Sequence, residues 1–193
     1  MKKISTLFKK DPNDLGRVIN EINPENNWIF DKGVTATRKW DGTSCAIING
    51  ELYKRYDVKK GKSIPENAIP CQEPDEITGH WPHWVKCDRS NNGDQWHFKA
   101  FDEAPKLEDG TYELCGPKIQ GNPEDLKFHY LVKHGKHEVA MGGMPAMKYA
   151  SSLIFVYFEK FLSDVNNNIE GIVFHHPDGR MCKLRKSDYG IKR

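Results

Sequence analysis

The feature that most constrains the fold is a block of β-branched runs cut by tight turns. "VTATR" (34–38), "TSCAIIN" (43–49) and "ELYKRYDV" (51–58) follow one another, with Asp41-Gly42 and Asn49-Gly50 between them. β-branched and aromatic residues suit a pleated, half-buried surface. Asp-Gly and Asn-Gly supply the backbone angles of a short hairpin. The block therefore predicts an antiparallel meander with tight connections and excludes a purely helical bundle.

Four further runs read as strands: "QWHFKAF" (95–101), "GTYELCG" (110–116), "IEGIVFHH" (169–176) and "RMCKLRK" (180–186), the last two joined by "PDG". "KFHYLVKHG" (127–135) is open at this level: "NPEDL" before it can start a helix, while its alternation favours a strand. Two helices are predicted. One runs from about Pro12 to Ile22, capped by Asp11, with Leu15, Val18, Ile19 and Ile22 on one face. The other is "SSLIFVYFEKFLSDV" (151–165), with a serine pair to cap it. Residues 59–95 carry Pro65, Pro70, Pro74 and Pro82 and read as an irregular excursion, the kind of long loop that is usually functional or a lid. The sum is an α+β fold dominated by antiparallel sheet, and 193 residues suit a single domain, 1–193, with the excursion inside it.

Charged residues make up 29% and the hydrophobic set 37%, a soluble globular composition. No apolar run approaches the roughly 20 residues of a membrane span. The opening "MKKISTLFKKDPND" lacks the apolar region of a secretory signal, so the expected address is the cytoplasm. Five cysteines without a CxxC pair point to reduced thiols. The net charge is only +2, but its distribution is uneven: residues 31–62 carry eight Lys/Arg against four Asp/Glu, 66–125 five against thirteen, and 180–193 six against one. Two basic segments flank an acidic middle; they either form one polyanion-facing patch or remain solvated loops.

"TRKWDGT" is the first candidate for chemistry. A lysine at a strand end with a carboxylate two residues on can be held at a pocket wall. A neutral lysine amine attacks electrophiles, and neighbouring cations favour that form while neutralising a phosphate leaving group. Alone, the tetrad is more often a hairpin turn with a surface lysine. Its company changes the weight: Glu113 lies in a predicted strand, Glu170 in another, Lys183 and Arg185 share a face of the last strand by alternation, and Arg55 follows the lysine turn.

The ordered set "KWDG", "YELCG", "EGIVF" and "KLR" resembles motifs I, III, IV and V of the covalent nucleotidyltransferases, the ATP-dependent polynucleotide ligases and mRNA capping enzymes. The longer text "ELCGPKIQGNPEDLKFHYLVKHG", "GHWPHWV" and "IEGIVFHHPDGRMCKLRKSDYGI" resembles a small RNA ligase family that includes the vertebrate 5′–3′ RNA ligase and bacterial and viral relatives. The resemblance runs from about Thr35 to Ile191. It implies a single nucleotidyltransferase (ATP-grasp-like adenylation) domain of antiparallel sheets flanked by helices, with too little chain after Arg185 for a C-terminal OB-fold.

It also implies an ATP-dependent RNA ligase that joins 5′-phosphate and 3′-hydroxyl RNA ends through lysine–AMP and RNA-adenylate intermediates. Mg²⁺ (or Mn²⁺) is the implied metal, and an end-processing kinase or phosphatase an implied partner. By motif position Lys39 is the nucleophile, and Asp41 and Gly42 shape its turn. Arg55 contacts phosphate or RNA, and Glu113 holds the ribose hydroxyls. Glu170 acts with the metal, Lys183 contacts the α-phosphate, and Arg185 replaces the second motif V lysine. For the adenine-stacking aromatic, Phe128, Tyr130, Leu131 and Val132 lie near the expected strand; if Leu131 or Val132 fills that place the base packs on an aliphatic surface, and Val132 is the candidate.

Other readings stay open. An RNA-binding module without sealing activity, or a nucleotidyltransferase with another acceptor, fits the same motifs. His80, His83 and Cys87 with Cys71 can be read as zinc ligands or as loop packing. Trp81, Trp84 and Trp96 can stack bases or anchor the core. Of His175 and His176, one faces the pocket side if the strand continues.

Overall fold

The computed structural model describes residues 4–76, 78–140 and 151–193. In chain order the strands are β1 (Ser5–Thr6), β2 (Phe8–Lys10), β3 (Val18–Ile22), β4 (Thr35–Lys39), β5 (Thr43–Ile48), β6 (Glu51–Val58), β7 (Ile69–Pro70), β8 (Trp81–Lys86), β9 (Gly110–Cys115), β10 (Tyr130–Lys133), β11 (Gly171–His175) and β12 (Met181–Arg185). Helix α1 spans Gln95–Glu103 and α2 spans Ser151–Ser163. The architecture is α+β with mostly antiparallel sheets, and its described residues fall into two compact units.

The first unit is Asp41–His134. Its six-stranded sheet has the order β10-β9-β5-β6-β8-β7 and is antiparallel throughout. Leu131 pairs with Leu114, and Cys45 with Tyr112. These side chains share the face on which Ala100 of α1, Cys87 and Ile119 close a core.

The second unit joins Ile4–Trp40 to Gly135–Arg193. Its four-stranded sheet has the order β1-β12-β11-β4, with β1 parallel to β12 and the rest antiparallel. Ala36, Ile172, Phe174, Cys182 and Leu184 form its buried face. Ile154, Phe158 and Leu162, one helical turn apart on α2, are fully buried against it. Phe158 meets Phe174 edge-on at 5.4 Å.

The structure corrects four local expectations. The 59–95 excursion is not irregular throughout: β7 and β8 lie within it, and β8 pairs along its whole length with β6, burying His83 and Trp84. The helix expected over Pro12–Ile22 is a loop followed by β3, paired with β2. Asp11 and Asp14 accept hydrogen bonds from the backbone N–H groups two residues on, at Asn13 and Gly16. These side-chain turns compete with a helical first turn. Leu15, assigned to the buried face, is 73% exposed.

"QWHFKAF" is helix α1 rather than a strand, with His97 and Ala100 buried three residues apart. A short 3-10 turn at Asn92–Asp94 leads into it, with the Asn91 side chain accepting from Gly93 N–H. Nor does the meander run through all three early strands: β5 and β6 form the expected hairpin, but β4 leaves for the other sheet and pairs with β11. The remaining strand readings and the second helix agree with the structure, and 127–135 resolves to strand β10. The side chains of the proposed serine cap, Ser151 and Ser152, lie outside the described residues.

Candidate active site

The site residues picked from sequence fall into two sets, each gathered by one sheet. In the second unit, β4 and β12 flank β11. Lys39 pairs with Gly171, and Gly171 with Arg185; one step along, Thr37 pairs with Val173, and Val173 with Lys183. Paired residues share a face, and so do alternate ones along a strand. Lys39, Lys183 and Arg185 therefore stand on one face of the sheet, opposite the buried core. Glycine in the middle of the row is required sterically: a Cβ on Gly171 would lie 2.2 Å from the Leu184 carbonyl oxygen.

Glu170, just before β11, brings a carboxylate to Lys39 at 2.5 Å. Both side chains are partly exposed, at 25% and 21%. Burial pushes Lys183 down to about 8, and the nearby Arg185 and Lys39 cations add to that shift. Arg185 is already engaged: it donates through Nε and Nη2 to Asp188, which is wholly buried and also accepts from Lys10. Burial raises the Asp188 carboxyl, but those bonds outweigh it and hold the group below the usual range. Its partner's identity was not visible from the motif, which ends at Arg185. Of the two histidines, His175 is the one on the Lys39 face, 2.8 Å from Thr37 Oγ1 through Nε2. His176 instead packs edge-on against Trp28.

In the first unit, a second row crosses the six-stranded sheet. Val132, Glu113 and Ser44 are directly opposite one another on β10, β9 and β5. They occupy the face away from α1. Alternation decides between the two candidates on β10: Leu131 turns into the core with Leu114, and Val132 stands beside Glu113. Arg55 faces the same way, because its neighbour Lys54 pairs with Cys45 on the core side. Arg55 donates to Asp57 two residues on.

Glu113 is buried, and His134 Nε2 lies 2.9 Å from its Oε2; Nδ1 of the same ring is 3.0 Å from Thr111 Oγ1. His134 had no role by sequence reasoning. Its signal was the His-Gly pair ending "LVKHG", uninterpretable until β10 was laid beside β9. Ser44 Oγ is buried with no hydrogen-bond partner among the described residues.

Asp41 and Gly42 open the first unit, directly after Lys39 and Trp40. Asp41 N–H donates to Glu124 Oε1. A Cβ on Gly42 would lie 2.1 Å from the Leu114 carbonyl oxygen, so only glycine allows β5 to approach β9 there.

The tryptophans serve as anchors: Trp84 is buried, Trp96 stacks on His129 at 4.7 Å, and Trp81 donates to the Gln72 carbonyl. The zinc reading of His80, His83, Cys71 and Cys87 does not survive. His83 is buried with Nδ1 against the Trp81 carbonyl, and the described residues gather Cys87 with Asp94 and His97 instead.

Comparison with known proteins finds similarity to one family. The family model described as RNA ligase 1 matches residues 102–193, just under half the chain. That stretch holds Glu113, Val132, His134, Glu170, Lys183 and Arg185, but not Lys39. RNA ligase 1 of Rattus norvegicus is 26% identical over 226 residues, covering 81% of this chain and 67% of the rat protein. The protein of the same name from Mus musculus aligns to the same extent. That of Danio rerio is 28% identical over 156 residues, covering 66% of this chain and 45% of its own. The chain is thus distantly similar to RNA ligase 1, most clearly over its second half. Among the described residues, no helix is long and apolar enough to cross a membrane.

Proposed function

We propose that this chain is an ATP-dependent RNA ligase of the covalent nucleotidyltransferase type. The observation that carries the reading is the contact between Lys39 Nζ and Glu170, with Lys183 and Arg185 on the same sheet face. The Lys39 amine attacks the α-phosphorus of ATP. A P–N bond forms, the P–O bond to the β-phosphate breaks, and pyrophosphate leaves with the electron pair. Glu170, at hydrogen-bond distance, is placed to receive the lysine proton. Lys183 neutralises charge growing on the α-phosphate oxygens. A 5′-phosphate oxygen of RNA then displaces the lysine, which regains its proton. Finally an RNA 3′-hydroxyl attacks that phosphate, and AMP leaves.

Glu113 accepts from the ribose hydroxyls, with its carboxylate aimed by His134, and Val132 offers an aliphatic surface for adenine. Arg185, held by Asp188, contributes fixed positive charge more than a mobile contact, and Arg55 contacts phosphate or RNA. Asp41 and Gly42 hold the turn that follows the nucleophile.

A divalent cation fits the residues present. Glu170 offers one partly exposed hard oxygen donor, and Mg²⁺ is commonly held by one or two carboxylates plus substrate phosphates rather than by a protein cage. When bound, such an ion would supply charge neutralisation on the phosphates.

The test is intact mass after incubation with ATP and Mg²⁺, beside Lys39→Ala, followed by 5′-phosphorylated RNA. An adduct of one AMP that needs Lys39, together with joined RNA, supports the reading. An adduct without joining points to another acceptor. No adduct, even after pyrophosphate treatment to strip pre-bound AMP, leaves an RNA-binding module without sealing activity.

A further inference from the structure

Away from both rows of candidate residues, the first unit holds an unassigned cluster on the core side of its sheet. Cys87 follows β8, Asp94 immediately precedes α1, and His97 lies in the first turn of that helix. Their donor atoms all lie within 4.8 Å of one another. All three residues are buried, with 6%, 1% and 8% of their surface exposed.

Two details distinguish this cluster from ordinary core polarity. Both ring nitrogens of His97 are buried without a hydrogen-bond partner among the described residues. An unsatisfied buried polar group costs about 1–3 kcal/mol, so an imidazole with two such atoms beside a thiol and a carboxylate is a site with something missing. Asp94 is also already oriented: Oδ2 accepts from the Asp88 N–H at 3.0 Å, while Oδ1 pairs with Lys54 Nζ. Metal-binding carboxylates are characteristically aimed by such outer bonds.

We propose that Cys87, Asp94 and His97 bind one divalent transition metal of the zinc type, tying the end of β8 to the start of α1. The donor set of one thiolate sulfur, one imidazole nitrogen and one carboxylate oxygen suits Zn²⁺, which takes such ligands at about 2.0–2.3 Å. Asp94 and His97 are three residues apart at a helix start, so both project to one side, and Cys87 comes from the residue just after β8. Three protein donors leave the fourth tetrahedral position for water.

The charge balance is complete without any redox step. In the metal-free protein burial pushes the Cys87 thiol up to about 12, burial lowers the His97 imidazole, and Lys54 neutralises Asp94. On binding, the Cys87 proton passes to solvent as the metal–sulfur bond forms. His97 gives its lone pair, and the Lys54 ammonium, 26% exposed, swings from Asp94 Oδ1 into water. Lys54 is thus the internal competitor for the metal.

The experiment uses the full chain stripped with a chelator and titrated with Co²⁺ and then Zn²⁺. Circular dichroism checks the fold throughout. One equivalent of Co²⁺ should produce a sulfur-to-cobalt charge-transfer band that Zn²⁺ bleaches. Cys87→Ser should abolish the band, His97→Ala should weaken Co²⁺ binding at least tenfold, and Cys71→Ser should change neither. Lys54→Met, which keeps all three donors, should tighten binding at least tenfold. A folded wild-type chain without the band overturns the proposal, as does a band that persists in Cys87→Ser. Should Cys87→Ser fail to fold, unchanged affinity in Lys54→Met overturns it.

Discussion

The two sheets treat their charged side chains in opposite ways. On the Lys39 face every assigned acid has a cation at hydrogen-bond distance: Glu170 with Lys39, and Asp188 with both Arg185 and Lys10. On the Glu113 face the acid is held by an imidazole, and the hydroxyl of its neighbour across the ladder, Ser44, has no hydrogen-bond partner among the described residues. The first arrangement is dense in mobile protons and positive charge, which suits phosphate chemistry. The second is a fixed acceptor beside an aliphatic surface, which suits recognition of a sugar and a flat base. A substitution should therefore cost turnover on one face and affinity on the other.

The largest effect is expected from Lys39→Ala, which should abolish AMP labelling while circular dichroism stays that of the wild type. Any retained labelling removes Lys39 as the nucleophile. The Lys39–Glu170 pair is partly exposed, so its loss should lower stability by no more than about 1 kcal/mol in thermal unfolding.

Gly171→Ala comes next. Its Cβ would collide with the Leu184 carbonyl and push β11 from β12. Overpacking of this kind costs about 1–3 kcal/mol, so Tm should fall and labelling should fall with it, since the Lys39 row depends on that register. A fully active, equally stable variant would show that the row is not held by this approach.

Glu113→Gln should sharpen the contrast. It should raise the ATP concentration for half-maximal labelling by about tenfold or more, the scale of a hydrogen bond to a charged group, with the saturated rate nearly kept. His134→Ala should do the same more weakly, because it aims Glu113 rather than touching nucleotide. A fall in the saturated rate with unchanged ATP dependence would move both residues to the chemical step.

For Lys183 the informative part of the effect on stability is its sign. Its folded-state value near 8 lies below the roughly 10.4 of a free lysine. Between those values the unfolded chain binds more protons, so the stability set by this residue rises with pH from about 8 to 10. Lys183→Met should therefore unfold at a higher temperature than wild type at pH 7, with the gap closing above pH 8, while losing labelling. A gap that widens with pH would contradict the burial of that ammonium.

Some of this was legible from residues alone. The β5–β6 hairpin, β9, β11, β12 and α2 were all readable, because alternation, turn residues and helical period act within a few positions. The shared face of Lys183 and Arg185 followed from the same alternation. Local signals also misled where they competed. Pro12 behind Asp11 reads as a helix start, yet the aspartates at 11 and 14 close turns with their own backbone. Likewise "QWHFKAF" alternates well enough for a strand while burying His97 and Ala100 at helical spacing.

What only tertiary structure decided is which distant segments share a face. The pairing of β4 with β11, which sets Lys39 beside Glu170, joins residues 131 positions apart. His134 against Glu113, Asp188 against Arg185, and Cys87 with Asp94 and His97 rather than His80 and His83 were settled the same way. The reason is physical: a strand's own residues specify that it has a buried and an open side. Its neighbour is chosen by which apolar faces bury together across the whole unit, a quantity no local window contains.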